Sequence, residues 1–152
     1  MKLMNDKFCF AMRVRYGECD AQQVVFNSRY GEYADVAVTE YFRVLFGGVK
    51  EMLNQGLDTQ VVRFAIDWKS PARFDDVLGI TVQTTRVGKT SFTLQANFSD
   101  FASKRPIACA EVTYVLVSVG QCQKVLISDD FRQKLVSGAT NVVVNHSGAA
   151  LA

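Results

Sequence analysis

Histidine is almost missing from this chain: His146 is the only one in 152 residues, and it lies near the C-terminal end. A Ser-His or Cys-His hydrolase needs an imidazole beside its nucleophile, so neither mechanism is expected. The cysteines, Cys9, Cys19, Cys109 and Cys122, form no C-x-x-C and have no histidine at metal-ligand spacing. No metal site is expected, and a reduced, intracellular protein fits this usage best. Lysine and arginine are scattered without a run, and the net charge is only +2, so there is no basic stripe for nucleic acid. No apolar stretch is long enough to span a membrane. The opening MKLMNDKFCF lacks a long apolar run and a cleavage site. A cytoplasmic location is therefore expected, with no membrane and no nucleic-acid partner.

What is there is an ordinary globular mixture, 49% apolar and 21% charged. The length suits one domain with a sizeable core. Residues 1–136 are expected to form it, and residues 137–152 to be a loose tail or one edge strand. No internal repeat and no linker divides the chain.

Hydrophobic periodicity gives the element order. Phe8 to Tyr16 reads as a strand with Phe10, Met12 and Val14 on one face. Ser28 to Phe46 reads as a helix, because Tyr30, Tyr33, Ala34, Ala37, Tyr41 and Leu45 recur at helical spacing. Asn27 or Ser28 can cap its start, and Gly47-Gly48 can end it. A short helix, Val49 to Gln55, follows. From Gln60 the period becomes two, with Val62, Phe64, Ile66 and Trp68 on one face. Pro71 breaks that run. Val77 to Val87, Ser91 to Phe101 and Ile107 to Val119 read as three more strands on short turns. The last is apolar on both faces, which predicts a central place in the sheet. A short helix from about Asp129 to Val136 is capped by Ser128. The fold class is α+β: a curved antiparallel sheet wrapped around one long central helix. One helix cannot cover both faces of such a sheet, so a homo-oligomer, dimer or tetramer, is expected.

Three motifs in register carry a resemblance. The first is Gly17-Glu18-Cys19-Asp20-Ala21, then Val24-Val25-Phe26, then Tyr30. The second is Pro71-Ala72-Arg73-Phe74-Asp75-Asp76-Val77-Leu78, and the third is Gly88-Lys89-Thr90-Ser91-Phe92. Over residues 8 to 136 the chain resembles the hotdog-fold acyl-CoA thioesterases of the 4-hydroxybenzoyl-CoA thioesterase type. That resemblance implies hydrolysis of an aryl or fatty acyl-CoA thioester to free acid and coenzyme A. It implies no cofactor, since coenzyme A is part of the substrate. The lone His146 counts against the His-dependent hydro-lyases that share the fold. The other readings are hydrolysis of esters carried on acyl carrier protein, and a hotdog protein that binds acyl thioesters without turning them over. The sequence departs from the pattern at Gln22-Gln23, where the family usually carries glycine two or three residues after the aspartate.

Thioester hydrolysis needs an oxygen nucleophile and donors where negative charge builds on the carbonyl oxygen. On its own Asp20 reads as a turn residue. The resemblance makes it the catalytic carboxylate, acting as nucleophile or as general base. The helix beginning near Ser28 offers unpaired N–H groups at its positive end, and the resemblance assigns the Asn27 N–H to the carbonyl oxygen. Tyr30 is either core or pocket lining. Ser91 matches a family position near the reacting group, and is otherwise a solvent-facing strand serine. Lys89 and Arg86 flank a hairpin turn and are either solvated or in contact with the coenzyme A phosphates. Arg73, Asp75 and Asp76 are read as shaping a turn.

Overall fold

A computed structural model describes residues 7–151. Residues 1–6, which begin the stretch read above as lacking a leader, and Ala152, which ends the expected tail, lie outside the described residues. The apolar run near the start forms strand β1, Phe8–Arg13. It ends earlier than the alternation predicts, because Tyr16–Glu18 winds into a 3-10 turn. The Glu18 carboxylate reaches back to accept the Arg15 backbone N–H at 2.8 Å, which closes that turn.

Helix α1 is Arg29–Phe46, and all six residues of the predicted stripe are buried on it. Val38 and Phe42 widen the buried face. The helix stops at Gly47, whose φ of 81° is left-handed and whose N–H donates to the Arg43 carbonyl. Glycine takes that conformation without a Cβ penalty. Helix α2, Val49–Asn54, leads into strand β2, Leu57–Trp68. Strands β3 (Val77–Val87), β4 (Ser91–Asp100) and β5 (Pro106–Ser118) follow as hairpins. Helix α3, Asp129–Ser137, is capped as expected, with the Ser128 hydroxyl oxygen accepting the Phe131 N–H at 3.1 Å. Val143–Asn145 forms β6.

The sheet order is β2-β5-β4-β3-β1-β6. All pairs are antiparallel except β1 with β6, which is parallel, so the sheet is mixed. Strand β5 is not the central one: it lies second from the edge, and β4 and β3 take the middle. Its apolar character has two sources. Ala108, Ala110, Val112, Tyr114 and Leu116 are buried on alternate positions. The chain returning from its end then bonds to it, Val125 N–H to the Leu116 carbonyl and Ser118 N–H to the Gln123 carbonyl.

The core lies between α1 and the sheet. Phe42 packs on Phe92 at 6.1 Å and on Tyr114 at 5.8 Å between ring centroids. The Tyr41 hydroxyl meets the Thr84 hydroxyl at 3.0 Å. Each such ring contributes roughly 1.5–3 kcal/mol by leaving water. The same packing fixes the helix N-terminus: Tyr30 lies edge-on to Trp68 at 5.7 Å and to Phe98 at 5.4 Å. The start of α1 is thereby held against the end of β2 and the far part of β4.

Strand β2 carries a bulge. Val61 pairs with Tyr114 and Arg63 with the next residue, Thr113, so Val62 is the extra residue. Val61 and Val62 are 55% and 59% exposed. Among the described residues no strand pairs with the outer edge of β2.

Candidate active site

The polar knot between β1 and α1 is a tight, well-bonded loop. Cys19 and Val25 face each other in an antiparallel bridge, and Val24 bridges to Arg73. The Asp20 N–H donates to the Val24 carbonyl, and the Gln23 N–H donates to the Asp20 carbonyl, both at 2.9 Å. Residues 20–23 therefore make a β-turn. The turn reading of Asp20 is real: its Oδ1 accepts the Gln22 N–H at 2.8 Å. Among the described residues, Oδ2 accepts no hydrogen bond and remains open. Gln23 has φ of 66°. The backbone at this point wants the conformation that glycine adopts freely, and a glutamine occupies it.

Beneath the loop lies Glu18, which is 5% exposed. Its carboxylate accepts from Arg15 Nε at 2.9 Å and Nη2 at 2.6 Å, and from the Tyr33 hydroxyl at 2.8 Å. Burial alone would push the Glu18 carboxyl up, but the bonds from Arg15 and Tyr33 outweigh it and hold it below its ordinary value. Burial pushes the Tyr33 phenol up, and its bond to the carboxylate pushes it further. The Glu18 carbonyl also accepts the Phe26 N–H at 2.9 Å. One residue thus ties the strand end, the loop and the second turn of α1 together. Sequence reasoning did not single it out, since its partner Tyr33 read simply as part of the core stripe.

At the start of α1, Ser28 stands at the cap position without a side-chain capping bond. The carbonyls of Phe26 and Asn27 accept the first helical N–H groups instead, from Arg29 at 2.9 Å and Tyr30 at 3.4 Å. Among the described residues, the Asn27 N–H itself donates to no acceptor. It sits at the positive end of the helix.

Asp20, Asn27 and Tyr30 line one cavity of about 590 Å³, with Val24, Val25, Phe26, Trp68 and Pro71 as apolar walls and Lys69 and Ser70 at its side. Tyr30 is 2% exposed in the core and also lines this cavity. Burial pushes its phenol up. A second cavity of about 410 Å³ shares Asp20 and is lined by Tyr16, Cys19, Gln23, Arg73 and Phe74. The Cys19 thiol is pushed up by burial and by the charges of Asp20 and Glu18, so it is not poised as a thiolate. Among the described residues no group of histidine, cysteine, aspartate and glutamate could hold a metal ion.

The other three candidates lie elsewhere in the chain. The Ser91 hydroxyl accepts from Arg86 Nη2 at 3.0 Å, and the Ser91 carbonyl accepts the Gly88 N–H at 2.7 Å. The Lys89 carbonyl accepts the Ile127 N–H at 2.8 Å. This hairpin tip is seven residues along β4 from Phe98, about 23 Å at strand rise. Within one chain it does not reach Asp20. Arg73, Asp75 and Asp76 do shape their turn: the Arg73 N–H donates to Asp76 Oδ2 at 2.8 Å, and Asp75 pairs with Arg13 at 3.1 Å.

Comparison with known proteins gives the family and the fold. The family profile of the thioesterase-like superfamily matches residues 14–135. The acyl-CoA thioesterase YbgC of Haemophilus influenzae is 34% identical over 86 residues, 56% of this chain and 63% of that enzyme. The fold is shared with a thioesterase superfamily protein of Jannaschia sp. CCS1 (TM-score 0.80, 22% identity, 89% of this chain and 95% of that one). It is shared too with the 1,4-dihydroxy-2-naphthoyl-CoA thioesterase of Synechocystis (TM-score 0.76, 17% identity, 85% and 95%). The architecture is thus the hotdog fold, with the sheet left open. The matched residues cover most of the chain: this chain belongs to the thioesterase-like superfamily.

Proposed function

We propose that the protein hydrolyses acyl-CoA thioesters at Asp20. The observation that carries this reading is the shared cavity in which an open carboxylate oxygen of Asp20 and the unbonded N–H of Asn27 flank the same space. A thioester carbonyl placed there has the carboxylate near its carbon and the helix N-terminus near its oxygen. Asp20 Oδ2 then either attacks the carbonyl carbon, expelling the coenzyme A thiolate and leaving an anhydride for water to open, or removes a proton from the attacking water. The Asn27 N–H steadies the oxyanion, a donor worth about 10²–10³ in rate. The loop holds Oδ1 on the Gln22 N–H, which aims the carboxylate without occupying both oxygens.

The protein works as a homo-oligomer in this reading. The support is the open edge of β2 with Val61, Val62, Phe64 and Trp68 exposed along it. Ser91, Lys89 and Arg86 lie too far from Asp20 in their own chain, so any contact they make with the reacting ester or its phosphates comes from a second copy. The catalytic assignment is tested by release of coenzyme A from a panel of short, long and aromatic acyl-CoAs. Asp20→Asn is expected to lower kcat by 10² or more, and an unchanged rate overturns it.

A further inference from the structure

The second cavity at Asp20 contains an arginine with nothing to hold. Every other arginine among the described residues gives its guanidinium to a protein oxygen: Arg13 to Asp75, Arg15 to Glu18, Arg29 to Glu32, Arg43 to Glu40 and Arg63 to Glu111. Arg86 gives to Ser91, Arg105 to the Pro71 carbonyl and Arg132 to the Gly88 carbonyl. The Arg73 guanidinium makes no hydrogen bond or ion pair among the described residues. The acids nearest in sequence are already engaged. Asp75 pairs with Arg13. Asp76 accepts the Arg73 backbone N–H and faces Arg105 at 4.0 Å. Arg73 lines the cavity with a free fork of donors, and Tyr16 and Phe74 cross edge-to-face at 5.7 Å beside it.

We propose that Arg73 binds a terminal carboxylate on the acyl group, so that the enzyme prefers short thioesters of dicarboxylic acids. This rests on the acyl-CoA reading above and names the acyl class. Size argues that the anion belongs to the acyl group and not to coenzyme A. A sphere of 410 Å³ is about 9 Å across. The arm between the thioester sulfur and the first phosphate contains two amide units and runs roughly 15 Å when extended. With the carbonyl at Asp20, that phosphate lies outside the cavity, while the far end of a short diacid lies within it. The planar guanidinium matches a carboxylate bidentately. The Tyr16 and Phe74 rings give the methylenes an apolar wall. Asp20 adds direction, because its own charge repels the distal carboxylate and turns it toward Arg73.

The test compares glutaryl-CoA with pentanoyl-CoA, which have the same chain length and end in a carboxylate or a methyl. The wild type is expected to show the higher kcat/KM with glutaryl-CoA. Arg73→Gln is expected to lower the glutaryl-to-pentanoyl ratio by about 10- to 100-fold, the worth of a charge-assisted hydrogen-bond pair. Arg73→Lys, which keeps the charge and loses the fork, is expected to fall between. Asp20-dependent hydrolysis of pentanoyl-CoA without a glutaryl preference overturns this proposal alone. A ratio untouched by Arg73→Gln does the same. So does an equal loss on both esters that disappears with their N-acetylcysteamine thioesters, since the anion is then a coenzyme A phosphate. No thiol release from either ester overturns the acyl-CoA reading, and this proposal with it.

Discussion

The Asp20 carboxylate is held by the loop at one oxygen only, and the buried Glu18 carboxylate braces that loop. Oδ1 is held by the loop and Oδ2 is open. Glu18 fixes the loop by accepting from Arg15 and Tyr33. Because these bonds hold the Glu18 carboxyl below its ordinary value in the folded chain, the unfolded chain takes up a proton first as pH falls. Its contribution to stability is therefore complete above the unfolded carboxylate value of about 4.3 and is lost as pH falls through the lower folded value. Glu18→Gln is expected to cost about 1–3 kcal/mol at pH 7. The gap in unfolding free energy between wild type and variant is expected to close progressively as pH falls below the unfolded carboxylate value of about 4.3. Denaturant titrations across that range check it, and a gap that widens with acid contradicts the assignment.

At the scale of elements, the loop and the helix differ in how openly their sequences declare them. The stripe on α1 is local: Tyr30, Tyr33, Ala34, Ala37, Tyr41 and Leu45 repeat along one face, and every one is buried. The β3 hairpin is legible for the same reason, with strict alternation and a Gly88-Lys89 turn. Features that depend on distant partners are not. The bulge at Val62 shows only against Tyr114 and Thr113. The parallel pairing of β6 depends on β1 lying open beside it, with Cys9 opposite Val143. The rank of β5 depends on which strands reach it first. In the candidate site, Asp20 by itself reads as a turn residue and Asn27 as a helix cap, and only the motif they share with a known family singles them out. Trp68 and Arg73 arrive from β2 and the turn after it, and no local pattern marks them as lining.

Gln23 occupies a left-handed position, φ 66°, where a side chain costs about 1–2 kcal/mol. Glycine regains that strain but loosens the unfolded chain by about 0.4–1 kcal/mol. Gln23→Gly is therefore expected to stabilise by up to about 1 kcal/mol and to raise Tm by about 2–4 °C. A lowered Tm means that the Gln23 side chain stabilises the loop by more than the strain costs.

On the scale of the whole molecule, the oligomer proposed above joins copies along the edge of β2. An open strand with Val61 and Val62 more than half exposed is a template for pairing. Val62→Lys places a charge on that edge. Light scattering is expected to show the wild type at two or more chains and the variant shifted toward one. The variant is also expected to lose at least tenfold in kcat/KM, because Ser91, Lys89 and Arg86 then have no second copy to serve. A wild type of single-chain mass with full activity contradicts this.

The central claim is that Asp20 performs the chemistry, and the most direct measurement is the saturating rate of thiol release by Asp20→Asn beside the wild type. The substitution is nearly isosteric, and the amide oxygen can still accept the Gln22 N–H that Oδ1 holds. The expected result is an unchanged Tm with kcat lowered by 10² or more. A variant that melts like the wild type and releases coenzyme A within about threefold of its rate contradicts the account, a difference under 1 kcal/mol in barrier.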